Sequence, residues 1–133
     1  MHASLHLLAP QLHARARTHT PCRSKGKIAA QAGHAFLGAY RIAMRLPLAR
    51  EWVKAWNARG CAKITLTIAT EAEMVECSQR ALAAGLPSIV IEDAGRTEVL
   101  AGTRTVCAIG PAPVHLIDAL TGRKGAFTCR LLE

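Results

Sequence analysis

The feature that most constrains this chain is a short apolar run that stops on two acids. Ser88–Ile91 is β-branched after its serine, follows Pro87 and ends at Glu92 and Asp93, which predicts a buried strand. Gly95 then permits a positive φ, turning Arg96 and Thr97 toward one space. Residues Thr103–Ile109 alternate polar and apolar and predict a second strand, with Gly110, Pro111 and Pro113 closing it as a turn. Strand, polar turn and strand together set a carboxylate beyond the strand ends, where ligands collect in open α/β sheets. Asp93 and Thr97 are equally suited to satisfying the backbone groups of an ordinary turn.

Upstream, Lys63–Ala69 places Ile64, Leu66 and Ile68 on one side and Thr65 and Thr67 on the other, the clearest strand pattern in the chain. Thr70 and Glu73 form a capping box for a helix whose buried side is Met74, Cys77, Ala81 and Leu82, ending at Gly85. This strand, helix and second strand predict a crossover between parallel strands. Leu48–Arg59 predicts a further helix with Trp52, Val53 and Trp56 on its core side, and Val114–Leu120 a last short one. The 133 residues allow one domain.

From Ser24, a candidate cap, to Leu46 the chain reads as a helix with two stripes. Ile28, Ala32, Ala35, Ala39 and Ile42 are small and apolar, suited to close packing on a sheet. Beside them Lys27, Gln31 and His34 line up from the helix N-terminus. Free N–H groups and a lysine there can hold a phosphate or a developing oxyanion. The same three residues also fit a solvated lysine, a surface glutamine and a satisfied histidine.

Charge is concentrated at the beginning. Residues 1–50 carry eight Lys or Arg and no acid, whereas residues 51–133 carry nine of each, so the formal charge of +8 lies in the first third. That asymmetry points to a polyanion, an anionic membrane surface or an import signal. Residues 1–23 read as a basic, acid-free leader, either a transit peptide or disordered, with Leu5, Leu8 and Leu12 on one helical face and no strand. No apolar run reaches membrane-spanning length, since His34, Arg41 and Arg45 interrupt the best of them. The cysteines Cys22, Cys61, Cys77, Cys107 and Cys129 form no CxxC pair, which predicts reduced thiols in a cytoplasmic or mitochondrial setting; no metal site and no cofactor are expected.

Two motifs carry a family resemblance. Asp93-Ala94-Gly95-Arg96-Thr97, then Gly102, Thr105-Val106 and Gly110-Pro111, resembles the signature of the archaeal and eukaryotic type of peptidyl-tRNA hydrolase. Gly26-Lys27, Ala29-Ala30-Gln31 and His34-Ala35 is similar to the other signature of that family, in the same order. The resemblance covers residues 24–122 and implies a three-layer α/β/α domain around a small mixed sheet, with residues 123–133 an uncertain tail. Relatives begin with an apolar strand for which no apolar counterpart is evident here, so the first strand is expected to be missing or replaced.

The implied reaction is hydrolysis of the ester between peptide and tRNA, which serves translation quality control. No Ser-His-Asp or Cys-His set argues for a covalent route, so direct attack by water is expected. Asp93, with His34, would activate the water, while Lys27, Thr97 and Thr105 would stabilise the oxyanion or hold the ribose. Gln31, Lys25, Arg41 and Arg96 would bind substrate, the last three through the tRNA backbone. Peptidyl-tRNA is the implied partner, with a homodimer as one expected state. The alternative is a weak or inactive relative acting as a protein-interaction or RNA-binding module, to which the unusual N-terminus points.

Overall fold

A computed structural model describes residues 12–18, 24–92, 103–121, 125–127 and 129–131. The strands are β1 (Leu12–Thr18), β2 (Lys63–Ile68), β3 (Ser88–Glu92), β4 (Arg104–Pro113) and β5 (Cys129–Leu131). The helices are α1 (Lys25–Ala43), α2 (Pro47–Ala58), α3 (Glu71–Ala83) and α4 (Val114–Thr121). One mixed sheet has the order β3-β4-β1-β2-β5. β1 and β2 are parallel, and β4 runs antiparallel to both β1 and β3, so β3 is parallel to β1 and β2. The expected β2-α3-β3 crossover therefore exists, but it passes over two intervening strands.

The first strand is present, and it is central. Residues 12–18, read from sequence as leader without a strand, pair with β2 on one side and β4 on the other. Alternation explains how a basic segment can do this. Leu12, Ala14 and Ala16 are buried and pack toward α1 and α2, where Ala32, Ala35 and Ala39 approach Ala16, and Trp56 meets Leu12 and Ala14. Small residues on both sides let helix and sheet come close. The opposite face of the sheet is covered by α3 and α4 through Met74, Cys77, Ala81, Ile117 and Leu120, packed on Cys107 and Ile109. Helices on both faces give the expected α/β architecture.

On that second face β1 presents Arg15, only 8% exposed. Its guanidinium meets the Asp118 carboxylate at 2.6 Å and donates to Thr121 Oγ1 at 3.3 Å, both on α4. A buried cation is tolerable because these partners replace its lost hydration. His13, half-buried nearby, has its Nδ1 buried with no hydrogen-bond partner among the described residues. Burial and the charge of Arg15 hold its imidazole below the usual 6.5, while Asp118 pulls the other way.

Strand β4 is also longer than expected. Gly110, Pro111 and Pro113 do not end it, since pairing with β1 continues to Leu12 opposite Pro113. The reason lies on the other flank. β3 begins at Ser88, opposite Ile109, so β4 has no β3 partner beyond that point and proline forfeits no ladder bond there. Gly110, at φ +105°, instead donates its N–H to the Pro87 carbonyl at 2.9 Å, and the Gly110–Pro111 bond is cis.

Local signals explain the helices. Ser24 Oγ accepts from Lys27 N at the start of α1, and Thr70 Oγ1 accepts from Glu73 N at the start of α3, as the caps predict. Pro47 opens α2 at a position where its missing N–H costs nothing. Among the described cysteines, Cys61, Cys77, Cys107 and Cys129 form no disulfide, and Cys77 and Cys107 are buried.

Candidate active site

Strand directions bring one edge of the sheet into focus. The C-terminal ends of β1, β2 and β3 and the N-terminal end of β4 all lie there, at Thr18, Ile68, Glu92 and Arg104. α1 and α3 each begin shortly after a strand ends at this edge, so their N-termini approach it. α1 then runs antiparallel to β1, because its later residues Phe36 and Tyr40 pack against Leu12 and Ala14 at the far end. Its first turn holds Lys25 and Lys27 and no acid, so the partial positive charge of the helix end is reinforced.

The polar stripe of α1 lies against the edge strand β3. Gly38 fixes this, since a Cβ there would stand 2.9 Å from the Ile89 side chain. Stepping back along the helix, four residues climb about 6 Å, and two strand residues advance about 6.6 Å. His34 is therefore level with Ile91, and Gln31, a turn further, is level with Glu92. The stripe converges on the point where β3 ends and Asp93 follows in the sequence.

Along this stripe Lys27 and Gln31 are half-buried and His34 is exposed. Gln31 Oε1 is buried and, among the described residues, has no hydrogen-bond partner. A buried carbonyl oxygen without a donor loses about 1–3 kcal/mol relative to hydration, a cost that a donor from a bound molecule removes. Arg41 is exposed on the same side, two turns beyond His34, whereas Lys25 is exposed on the opposite side of α1.

Thr105 is fully buried at a β-bulge, where Ile91 pairs with Val106 but Glu92 pairs with Arg104. Its Oγ1 donates to the Ile91 carbonyl at 3.5 Å, and its own carbonyl accepts from Thr18 Oγ1 at 3.3 Å. No described hydrogen bond joins Thr105 to Lys27, Gln31 or His34. Asp93, Arg96 and Thr97 lie outside the described residues. Arg104, which the sequence did not single out, stands 3.9 Å from Glu92 and 3.7 Å from Glu71, and its N–H donates to Glu71 Oε1. It thereby ties β3, β4 and α3 together at this edge, beside a shallow groove of about 690 Å³ lined by Thr70, Glu71 and Gln79 among others. No local sequence signal marked it, since its partners Glu71 and Glu92 come from other elements and their closeness depends on the strand order.

Residues 22–124 match the family described as peptidyl-tRNA hydrolase PTH2. The chain belongs to this peptidyl-tRNA hydrolase family. Among its relatives, the probable peptidyl-tRNA hydrolase 2 of Schizosaccharomyces pombe is 44% identical over 104 residues, which is 78% of this chain and 50% of that protein. The peptidyl-tRNA hydrolase of Aeropyrum pernix is 40% identical over 100 residues, 74% of this chain and 81% of the relative. That of Pyrobaculum aerophilum is 43% identical over 99 residues, 74% and 82% respectively. The chain thus spans about half the length of the fission yeast relative and about four fifths of the archaeal ones. Both motifs of the peptidyl-tRNA hydrolase resemblance fall within the matched residues, and β1 falls before them. No described helix is long and apolar enough to cross a membrane.

Proposed function

We propose that this chain hydrolyses the ester joining a peptide to the terminal ribose of tRNA. The observation that carries the reading is the stripe Lys27–Gln31–His34, set against β3 with an unpartnered buried oxygen at its centre, level with the strand end that leads into Asp93. Family membership supplies the substrate class. The alternative, a weak or inactive relative acting as a protein-interaction or RNA-binding module, was drawn from the unusual N-terminus, where residues 12–18 supply the strand expected to be missing or replaced.

In this reading water attacks the ester carbonyl carbon and a tetrahedral oxyanion forms. Asp93 takes the proton of the water, with His34 helping to orient it. Lys27 and the N-terminal dipole of α1 stabilise the oxyanion as charge develops. Collapse expels the ribose oxygen, which takes the proton back from Asp93, and the peptide leaves as a carboxylic acid that ionises in water. Gln31 Oε1 accepts from a donor on the substrate, and Thr97 and Thr105 shape the ribose end. Lys25, Arg41 and Arg96 meet the tRNA backbone.

The test is release of peptide from an N-blocked aminoacyl-tRNA. Asp93→Asn and Lys27→Ala are each expected to cut turnover by about 100-fold or more, whereas Lys25→Ala raises KM with little change in turnover. Equal losses for Lys27→Ala and Lys25→Ala, or an Asp93→Asn protein as fast as the wild type, would refute the assignment.

A further inference from the structure

The segment that carries Asp93, Arg96 and Thr97 begins and ends on two charged residues that meet. Glu92 is the last residue of β3 and Arg104 the first of β4, and they are cross-strand partners at the bulge that closes the ladder. Arg104 Nε stands 3.9 Å from Glu92 Oε1. The segment 93–103 therefore has its two ends held together by opposite charges. Those ends are also the chain neighbours of proposed site residues, since Asp93 follows Glu92 and Thr105 follows Arg104.

Arg104 is in turn fixed to a helix. Glu71 lies in the first turn of α3, directly after the Thr70 cap, where the helix N-terminus favours a carboxylate. Its Oε1 accepts from the Arg104 backbone N–H at 3.3 Å and stands 3.7 Å from Arg104 Nη1. One carboxylate thus holds both the backbone and the guanidinium of Arg104, while Nε of the same planar group meets Glu92. Next in the chain, Thr105 is fully buried and its Oγ1 donates to the Ile91 carbonyl at 3.5 Å, so the start of β4 is held from inside as well as outside.

The side chains of Arg104, Glu92 and Glu71 are 48%, 61% and 39% exposed. Ion pairs this open add little to global stability. They can still matter to rate, because fixing the ends of a segment removes conformations in which a reacting group is misplaced, and a displacement of about 1 Å costs far more in catalysis than in folding.

We propose that Arg104 is a positioning residue for the hydrolysis: acting through Glu92 and Glu71, it clasps the two ends of the segment 93–103 and so sets the point from which Asp93 projects toward the α1 stripe. The inference rests on the hydrolase reading above and gives Arg104 no contact with the reacting atoms.

The experiment measures kcat and KM for release of peptide from an N-blocked aminoacyl-tRNA, together with the urea midpoint, for wild type, Arg104→Gln, Arg104→Lys, Glu92→Gln and the double variant Glu92→Gln/Arg104→Gln. Arg104→Gln should lower kcat about three- to fivefold, the range open to exposed ion pairs, with little change in KM or in the urea midpoint. Arg104→Lys keeps the charge at contacts of 3.7 and 3.9 Å, which need no paired geometry, and should recover most of kcat. Adding Glu92→Gln to Arg104→Gln should cost less than it costs wild type, as expected of residues that act through one another. Arg80→Gln, which breaks the 2.8 Å pair with Glu76 on α3 at similar exposure, should leave kcat unaltered. An unchanged kcat, a rise in KM alone, additive losses, a lysine no better than glutamine, or a kcat that falls in step with the urea midpoint overturns the clasp. Wild type without turnover sinks the hydrolase reading instead, and amide hydrogen exchange then decides: faster exchange within residues 93–103 of Arg104→Gln than of wild type upholds the clasp, and equal exchange overturns it.

Discussion

Removing the carboxylate of Asp118 should destabilise the protein from the middle of its sheet. Arg15 is 9% exposed at its side chain and Asp118 47%, with 2.6 Å between them. Breaking a fully buried pair costs about 3–5 kcal/mol, and an exposed pair about 0–1 kcal/mol. This pair has one buried and one half-exposed member, and Thr121 still accepts from Arg15 at 3.3 Å. Asp118→Ala should therefore cost about 2 kcal/mol, between those limits. With a urea slope of about 2 kcal/mol/M the unfolding midpoint falls by roughly 1 M at unchanged slope. The discriminating assay is a double-mutant cycle with Arg15→Met, which fills similar volume without charge. In that background Asp118→Ala should cost little. A loss below about 0.5 kcal/mol in the wild-type background, or an equal loss in both backgrounds, would show that Arg15 does not depend on this carboxylate.

Two further outcomes probe the same region. Because burial and Arg15 depress the His13 pKa below 6.5, the unfolded chain takes up the proton first as pH falls. The neutral histidine costs nothing above pH 6.5, and stability is lost as pH drops from there through the folded value; urea midpoints at successive pH values should show a steeper acid-side decline for wild type than for His13→Gln, and parallel curves would refute the assignment. Gly110→Ala would put a methyl 2.5 Å from the His13 carbonyl oxygen and 3.2 Å from Ala14 Cα at a positive φ. Both obstacles are β1 backbone, so a loss of about 3 kcal/mol or more is expected in thermal or urea unfolding, and a wild-type midpoint would mean that β1 does not lie there.

Local rules made some parts legible and left others hidden. The caps of α1 and α3, the alternation of β2 and the small-residue stripe of α1 rest on contacts within a few residues, and each stands in the structure as read. Lys27, Gln31 and His34 share a stripe for the same reason, since helical spacing alone puts them there. That this stripe faces β3 was not legible, because it depends on Gly38 meeting Ile89 across 51 residues. β1 escaped for a related reason. Its inward side is mostly alanine, a weak strand former, and its other side carries Arg15, which reads as surface until Asp118 is brought beside it. Gly110 and Pro111 read as a turn because their tolerance in a strand depends on where β3 begins. The apolar periodicity of Leu5, Leu8 and Leu12 suggested a helix, yet the every-other-residue pattern of Leu12, Ala14 and Ala16 was the signal that mattered.

The centrality of β1 also sets an order of events during synthesis. The strand leaves the ribosome first, but its neighbours are β2, about fifty residues later, and β4, about ninety residues later. Until they arrive, the future centre of the sheet waits with both edges open, the condition under which strands of different chains pair with one another. Its composition suits the wait. His13, Arg15 and Arg17 interleave basic side chains with alanine, so a nascent segment that would be adhesive if built from valine and isoleucine instead repels its own kind. Arg15 then trades that repulsion for Asp118 when the last helix docks, and the charge that kept the strand apart becomes one of the contacts that holds it in place.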